Sequence, residues 1–406
     1  MTQPHTVIVG AGIAGLYVGL QAARRGETVT ILEAANYLGG RIVTSPKGYE
    51  IGAGRICECH DKVQGLVKEF GLHLSPTEDT TWWIPSANPE HIQKNWFHAF
   101  WREFLEVAQS LSATVLATHT LREIAGMALG TESANRLLER YEYRTEIDSM
   151  RADLAIRIFR GELSGTHKFY VVPEGLSALV AGMTRAIRKH RGCKILPNRR
   201  VQHVARLGMA YQVRTTEGEE FTADRVILAV TADALRNITP FSRLPMLKHL
   251  GQSRLTRIYA KYPYKWLDRK IVTDSPLRYV IPVANNWVMI SYTDGRDTAH
   301  WAGLTGATLK REIFKEQRRL WPTSPEPEEI HTYPWTSATT FWAPGRYDPT
   351  AAAAALAHPY PKGLPNVWWC GESLSLTRQA WMEGALDSAE SVLSSIAPRR
   401  TTIGYR

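Results

Sequence analysis

An α/β chain of two interleaved domains is predicted by three observations. A strand, a glycine-rich turn, a helix and a second strand follow one another within the first 33 residues. Between Pro89 and Leu163 the apolar spacing is helical, and from Arg257 to Val288 it turns into short alternating runs of the β type, an antiparallel sheet joining those helices in an α+β domain. A length of 406 residues with 44% apolar and 22% charged residues suffices for two cores.

The opening unit is the most specific. Thr6-Val7-Ile8-Val9 reads as a buried parallel strand, and Gly10-Ala11-Gly12-Ile13-Ala14-Gly15 follows it as G-x-G-x-x-G. Ile13, Leu16, Leu20 and Ala23 keep helical spacing up to Gly26, a natural C-terminal cap. Thr28 to Leu32 gives the second strand, with Glu33 and Ala34 at its carboxyl end. Such a Rossmann-like unit suits a dinucleotide. Gly10 permits the tight turn, Gly12 lets a pyrophosphate approach the backbone, Gly15 lets helix and strand pack closely, and Glu33 accepts from ribose hydroxyls. Gly10, Gly12, Ile13, Ala14, Gly15, Glu33 and Ala34 are the expected contacts to that cofactor.

Composition excludes several other classes. The 49 basic against 39 acidic residues give a net charge of +10, yet the basic residues are dispersed. Arg185, Arg188, Lys189 and Arg191 look like one solvated helix end, so no nucleic-acid partner is expected. No stretch approaches the roughly 20 apolar residues of a membrane span, and no basic leader or apolar h-region precedes the first strand. Four cysteines are too few for a disulfide framework, which fits a reducing, cytoplasmic location. Cys57-Glu58-Cys59-His60 offers half of a metal site, but Cys193 and Cys370 supply no matching half nearby, and no metal is expected. Phe97, Phe100-Trp101, Phe104, Val107-Ala108 and Leu111 read as one buried helical stripe. Ala351 to Ala357 reads as a short helix ending before Pro359. The sequence leaves open whether two copies pair as a homodimer.

Gly39-Gly40-Arg41 adds a second glycine turn and a cation shortly after Glu33. Here the chain resembles the flavin amine oxidase superfamily, and the resemblance runs to the C-terminal part. Tyr170 to Leu176, ahead of the helix Leu179 to Ile187, is similar to that family's return to its FAD domain. Ile195 to Val204 and Ala223 to Val230 are similar to two of its strands, with Thr231 in place of a proline. Val367 to Ser373 and Trp381-Met382-Glu383-Gly384-Ala385 are similar to its closing motifs. The resemblance implies a Rossmann-like FAD-binding domain from 1–77, 165–244 and 351–398, interleaved with a substrate domain from 78–164 and 245–350. It implies that Gly40 and Arg41 meet the diphosphate, Val201 the adenine, and Gly371 and Glu372 the ribityl-diphosphate. A helix starting near Met382 would turn its free N–H groups toward the flavin C2 carbonyl.

Substrate class rests on one arginine. Gly52-Ala53-Gly54-Arg55-Ile56, with His60 and Phe70-Gly71-Leu72 after it, is similar to L-amino-acid oxidases and tryptophan monooxygenases, with Gly54 for a methionine and Cys57 for a proline. The resemblance implies that Gly54 and Arg55 lie against the flavin and that Arg55 grips a substrate carboxylate with its planar fork. It implies Trp381 as an aromatic wall, Ala338 in the substrate pocket, and FAD held non-covalently, because Ser337 replaces the flavin-linking cysteine of monoamine oxidases. Arg257 takes the place of a lysine near flavin N5, where a one-residue shift would instead put Thr256. Arg257 and Trp381 are thus the expected catalytic residues. The implied reaction moves a hydride from Cα of an L-amino acid to the flavin. The resulting imino acid hydrolyses to a keto acid and ammonia, and molecular oxygen is reduced to hydrogen peroxide. A monoamine or polyamine oxidase is the first alternative; an amino-acid monooxygenase and a non-catalytic flavoprotein module are the others.

Overall fold

The structure is a computed structural model and describes residues 4–396. Five parallel strands form one sheet in the order Val367–Trp369, Arg225–Leu228, His5–Val9, Thr28–Leu32, Lys194–Leu196. Val7, Ile8, Val29 and Ile31 are fully buried, as strands covered on both faces require. Helices Ile13–Arg24, Ser177–Arg188 and Met382–Ile396 share an apolar cluster with this sheet. The stretch Ile195 to Val204 forms two strands rather than one, Lys194–Leu196 and Val201–Leu207. Pro197 lacks an N–H and Asn198 turns the chain at φ 57°, so the parallel ladder stops there. Val201–Leu207 then joins Ala210–Thr215 and Glu220–Ala223 in a separate antiparallel sheet.

The second large sheet has seven strands: Glu329–Trp342, Leu250–Lys261, Trp287–Asp294, Tyr279–Pro282, Lys270–Thr273, Thr81–Ile84 and Gln93–Lys94. It is antiparallel, as expected, except where Lys270–Thr273 runs parallel to Thr81–Ile84. Its two longest strands, of 12 and 14 residues, exceed the short runs read from the sequence. Glu329–Trp342 escapes a periodicity reading because few of its residues are fully buried and Pro334 interrupts it.

Two further expectations are corrected. The aromatic stripe divides: Phe97, Trp101, Phe104 and Ala108 are buried, whereas Phe100 is 41%, Val107 67% and Leu111 40% exposed. Positions 97, 101, 104 and 108 lie on one face of the helix Phe97–Ala108, and 100 and 107 on another. Cys57 and Cys59 form a disulfide, where the sequence suggested none; the C-x-C turn brings their Cα atoms to 5.1 Å, within reach of a bridge. Among the described residues no helix is long and apolar enough to cross a membrane.

Candidate active site

A cavity of about 730 Å³ opens at the carboxyl ends of the parallel strands, where open α/β sheets hold ligands. Gly10, Gly12, Ile13, Ala14, Glu33, Ala34, Gly40, Arg41, Gly54, Arg55, Val201, Arg257, Ala338, Gly371, Glu372, Trp381 and Met382 all line it. Gly15 does not. A Cβ on Gly15 would sit 2.0 Å from the Gly10 carbonyl oxygen, so this glycine serves helix–strand packing rather than a ligand.

Gly12 caps the helix Ile13–Arg24 without a side-chain hydrogen bond, and a Cβ there would point into open space. The Glu33 carboxylate accepts from the backbone N–H of Ala11 at 2.7 Å and of Ala35 at 2.8 Å, tying the second strand to the glycine turn. Arg41 donates through Nη1 to the Ala338 carbonyl at 2.6 Å and to Glu372 Oε1 at 3.0 Å. Glu372 also accepts from Thr340 Oγ1 and the Ala380 N–H, so it anchors three segments around the cavity. Ala380 adopts φ 70°, a conformation uncommon for a side-chain-bearing residue, just before Trp381 and the helix Met382–Ile396.

Arg55 immediately precedes the short strand Ile56–Cys57, whose antiparallel pairing with Phe169–Val171 fixes the loop. Its guanidinium lies 4.9 Å from the Phe169 ring centroid, 5.5 Å from that of Tyr143 and 6.0 Å from that of Trp381. Arg55 Nη2 donates to the Tyr143 hydroxyl, and no carboxylate lies within ion-pair distance of Arg55 among the described residues. Fully buried His60 packs edge-on against Trp381 at 5.0 Å and accepts from the Cys57 N–H, which supports that ring. The ligand atoms of Cys57, Cys59 and His60 approach within 4.8 Å of one another, but the two sulfurs are bonded to each other.

Strand alternation puts Arg257 and Thr256 on opposite sides. Leu255 and Arg257 face the cavity, while Thr256 points to the opposite side of Leu250–Lys261 and is buried there. Arg257 Nη1 donates to the Glu50 carbonyl at 2.9 Å and its guanidinium lies 5.3 Å from the Tyr292 ring. Ser337 is turned away from the cavity and donates to Gln252 Oε1.

Residues 13–392 match the sequence family of flavin containing amine oxidoreductases. The chain belongs to that family. It is 25% identical over 356 residues to an L-amino-acid oxidase of Echis ocellatus, covering 74% of this chain and 69% of that protein. A second L-amino-acid oxidase, from Vipera ammodytes ammodytes, is 24% identical over 404 residues, covering 84% and 81%. Cyclohexylamine oxidase from Brevibacterium oxydans has the same fold at a TM-score of 0.77 and 17% identity, over 98% of this chain and 100% of that one. A redesigned putrescine oxidase follows at 0.76 and 17%, over 97% and 99%.

The residues present fit the family's flavin. The uncapped helix start at Gly12 faces the cavity with no side chain in the way and no acidic residue in its first turn, as a pyrophosphate needs. Arg41 supplies a cation beside it, and Glu33 keeps acceptor lone pairs at the strand end.

Tyr143, Glu146, Tyr292 and Trp335 also line the cavity and escaped the sequence reading. Tyr143 and Glu146 sit in Tyr141-Glu142-Tyr143-Arg144-Thr145-Glu146, whose density of aromatic and charged residues within a helical region was the available signal. Burial and the nearby Asp294 push the Glu146 carboxyl up to about 7. A carboxyl raised in the folded state stabilises the fold below its unfolded value and loses that contribution as pH rises through its folded value. Glu146→Gln is therefore expected to melt with wild type at pH 4.5 and progressively above it up to about pH 7, with a constant gap beyond. Thermal melts of both proteins across that range check this; a gap independent of pH would contradict it.

Proposed function

We propose that this flavin amine oxidoreductase is an L-amino-acid oxidase in which Arg55 binds the substrate carboxylate. The observation that carries the reading is a half-buried arginine facing the cavity from an aromatic cage, with no protein carboxylate paired to it. A cation that faces a cavity without an anion leaves its charge unmatched, and a ligand carboxylate supplies the missing partner with geometry that a guanidinium fits. The likeness to L-amino-acid oxidases supports the same reading.

In this reading Gly10, Gly12, Glu33, Gly40, Arg41, Val201, Gly371, Glu372 and Met382 hold FAD without a covalent link, within segments 1–77, 165–244 and 351–398. FAD, when bound, supplies the acceptor for the two electrons leaving Cα. Arg55 orients the carboxylate, and Trp381 and Tyr143 wall the side chain. Arg257 holds a positive charge on the cavity wall but does not trade protons as a lysine would. What supports Arg257 there, rather than Thr256, is its side of the strand.

Acid denaturation is expected to release all flavin as intact FAD into the supernatant, since Ser337 has no thiol and faces away. Flavin left in the protein pellet would contradict this. The function itself is tested by peroxide release over the amino acids and their decarboxylated amines: peroxide with amino acids supports it, and peroxide with amines alone overturns it.

A further inference from the structure

Glu146, in the short helix Thr145–Asp148, lines the same cavity as Arg55. Its Oε2 is buried and has no hydrogen-bond partner among the described residues. An orphaned buried acceptor is costly, so its retention calls for a donor that the protein does not provide. Neither Glu146 nor Arg55 forms an ion pair with the other or with any further charged side chain among the described residues. Two opposite charges left unpaired in one cavity are complementary to a ligand that carries both signs.

We propose that Glu146 receives the α-ammonium of the substrate and accepts its proton. The inference rests on the amino-acid reading above and assigns the second charge of the same ligand. One N–H bond of the ammonium breaks and one O–H bond forms on Glu146 Oε2. The substrate is left as the neutral amine, with its lone pair free and its carboxylate on Arg55. The groups around Glu146 are suited to this. Asp294, on the strand Trp287–Asp294, accepts from the Thr145 hydroxyl and the N–H groups of Arg144 and Thr145, at 2.7, 2.8 and 2.9 Å; burial raises its pKa and these hydrogen bonds oppose that rise in favour of the ionised form. Its charge favours protonation of Glu146, while Arg55 opposes it. Tyr141, Glu142 and Tyr143 on the same segment, and Tyr292 and Arg257 from the sheet, complete the surroundings. Of the two glutamates on this segment only Glu146 lines the cavity, so it is the one that a ligand there can reach.

The test is a proton inventory by calorimetry on the flavin-loaded protein, in buffers of different ionisation enthalpy. Two ligands lacking a Cα hydrogen are used: the Cα-methylated form of the substrate that releases most peroxide, and the amine in which a further methyl replaces the carboxylate. At about pH 8 the ammonium proton passes to ionised Glu146 and no net proton is released; at about pH 6 Glu146 already holds its proton and about one is released. Glu146→Gln should abolish this pH dependence and lower kcat/KM by about 100-fold or more, the usual span for a lost general base. A wild-type inventory flat from pH 6 to 8 with both ligands overturns the proposal, as does a pH dependence that Glu146→Gln retains. Failure of the Arg55 reading looks different, because it shows as equal affinity for the two ligands whatever the inventory.

Discussion

Gly12→Val is expected to yield a folded protein that binds no flavin. Gly12 has φ −70° and ψ 178°, a conformation any residue adopts, and a Cβ at this position meets no protein atom within 4 Å. The valine side chain therefore fits the protein but fills the space in front of the uncapped helix where the pyrophosphate must approach. The measurement is the ratio of flavin to protein absorbance after purification, with far-UV circular dichroism to confirm folding. A ratio near zero with native helix content is predicted; full occupancy would show that the cofactor lies elsewhere in the cavity. Gly15→Val is the control in the opposite sense, because its Cβ would collide with the Gly10 carbonyl oxygen at 2.0 Å and disturb the fold itself.

The contrast between these glycines also shows what the sequence made legible. Spacing identified the strand, turn, helix, strand and acid of the first 33 residues because each local preference there agrees with the tertiary structure. Part of the cavity lining was legible in the same way, from the glycine turns at strand ends, and a further part from the family resemblance of the later motifs. What escaped depends on contacts between distant segments. Glu372 read as a cofactor contact, yet its carboxylate holds Arg41, Thr340 and the Ala380 N–H, partners scattered over more than 300 positions. Tyr143 and Glu146 carry no motif and enter the cavity only because Thr145 docks on Ser253 and Asp294. The aromatic stripe failed as a single face because composition marks a residue as apolar without saying which side of the helix finds a neighbour.

Arg55→Met is expected to leave the flavin spectrum unchanged and to cripple oxidation of amino acids. Methionine keeps much of the apolar volume beside Phe169, Tyr143 and Trp381, so the cage should persist without its charge. Removing one partner of a buried, hydrogen-bonded charge pair costs about 2–5 kcal/mol, which corresponds to roughly thirty-fold to several-thousand-fold in affinity. The decarboxylated amine has no group for Arg55 to hold and should be impaired far less. The decisive measurement is therefore kcat/KM of wild type and Arg55→Met for one amino acid and its decarboxylated amine, assayed side by side. A large loss on the amino acid with little change on the amine is the predicted result. An equal loss on both, or a wild type that oxidises the amine and no amino acid, would contradict it and make the enzyme an amine oxidase with a structural Arg55.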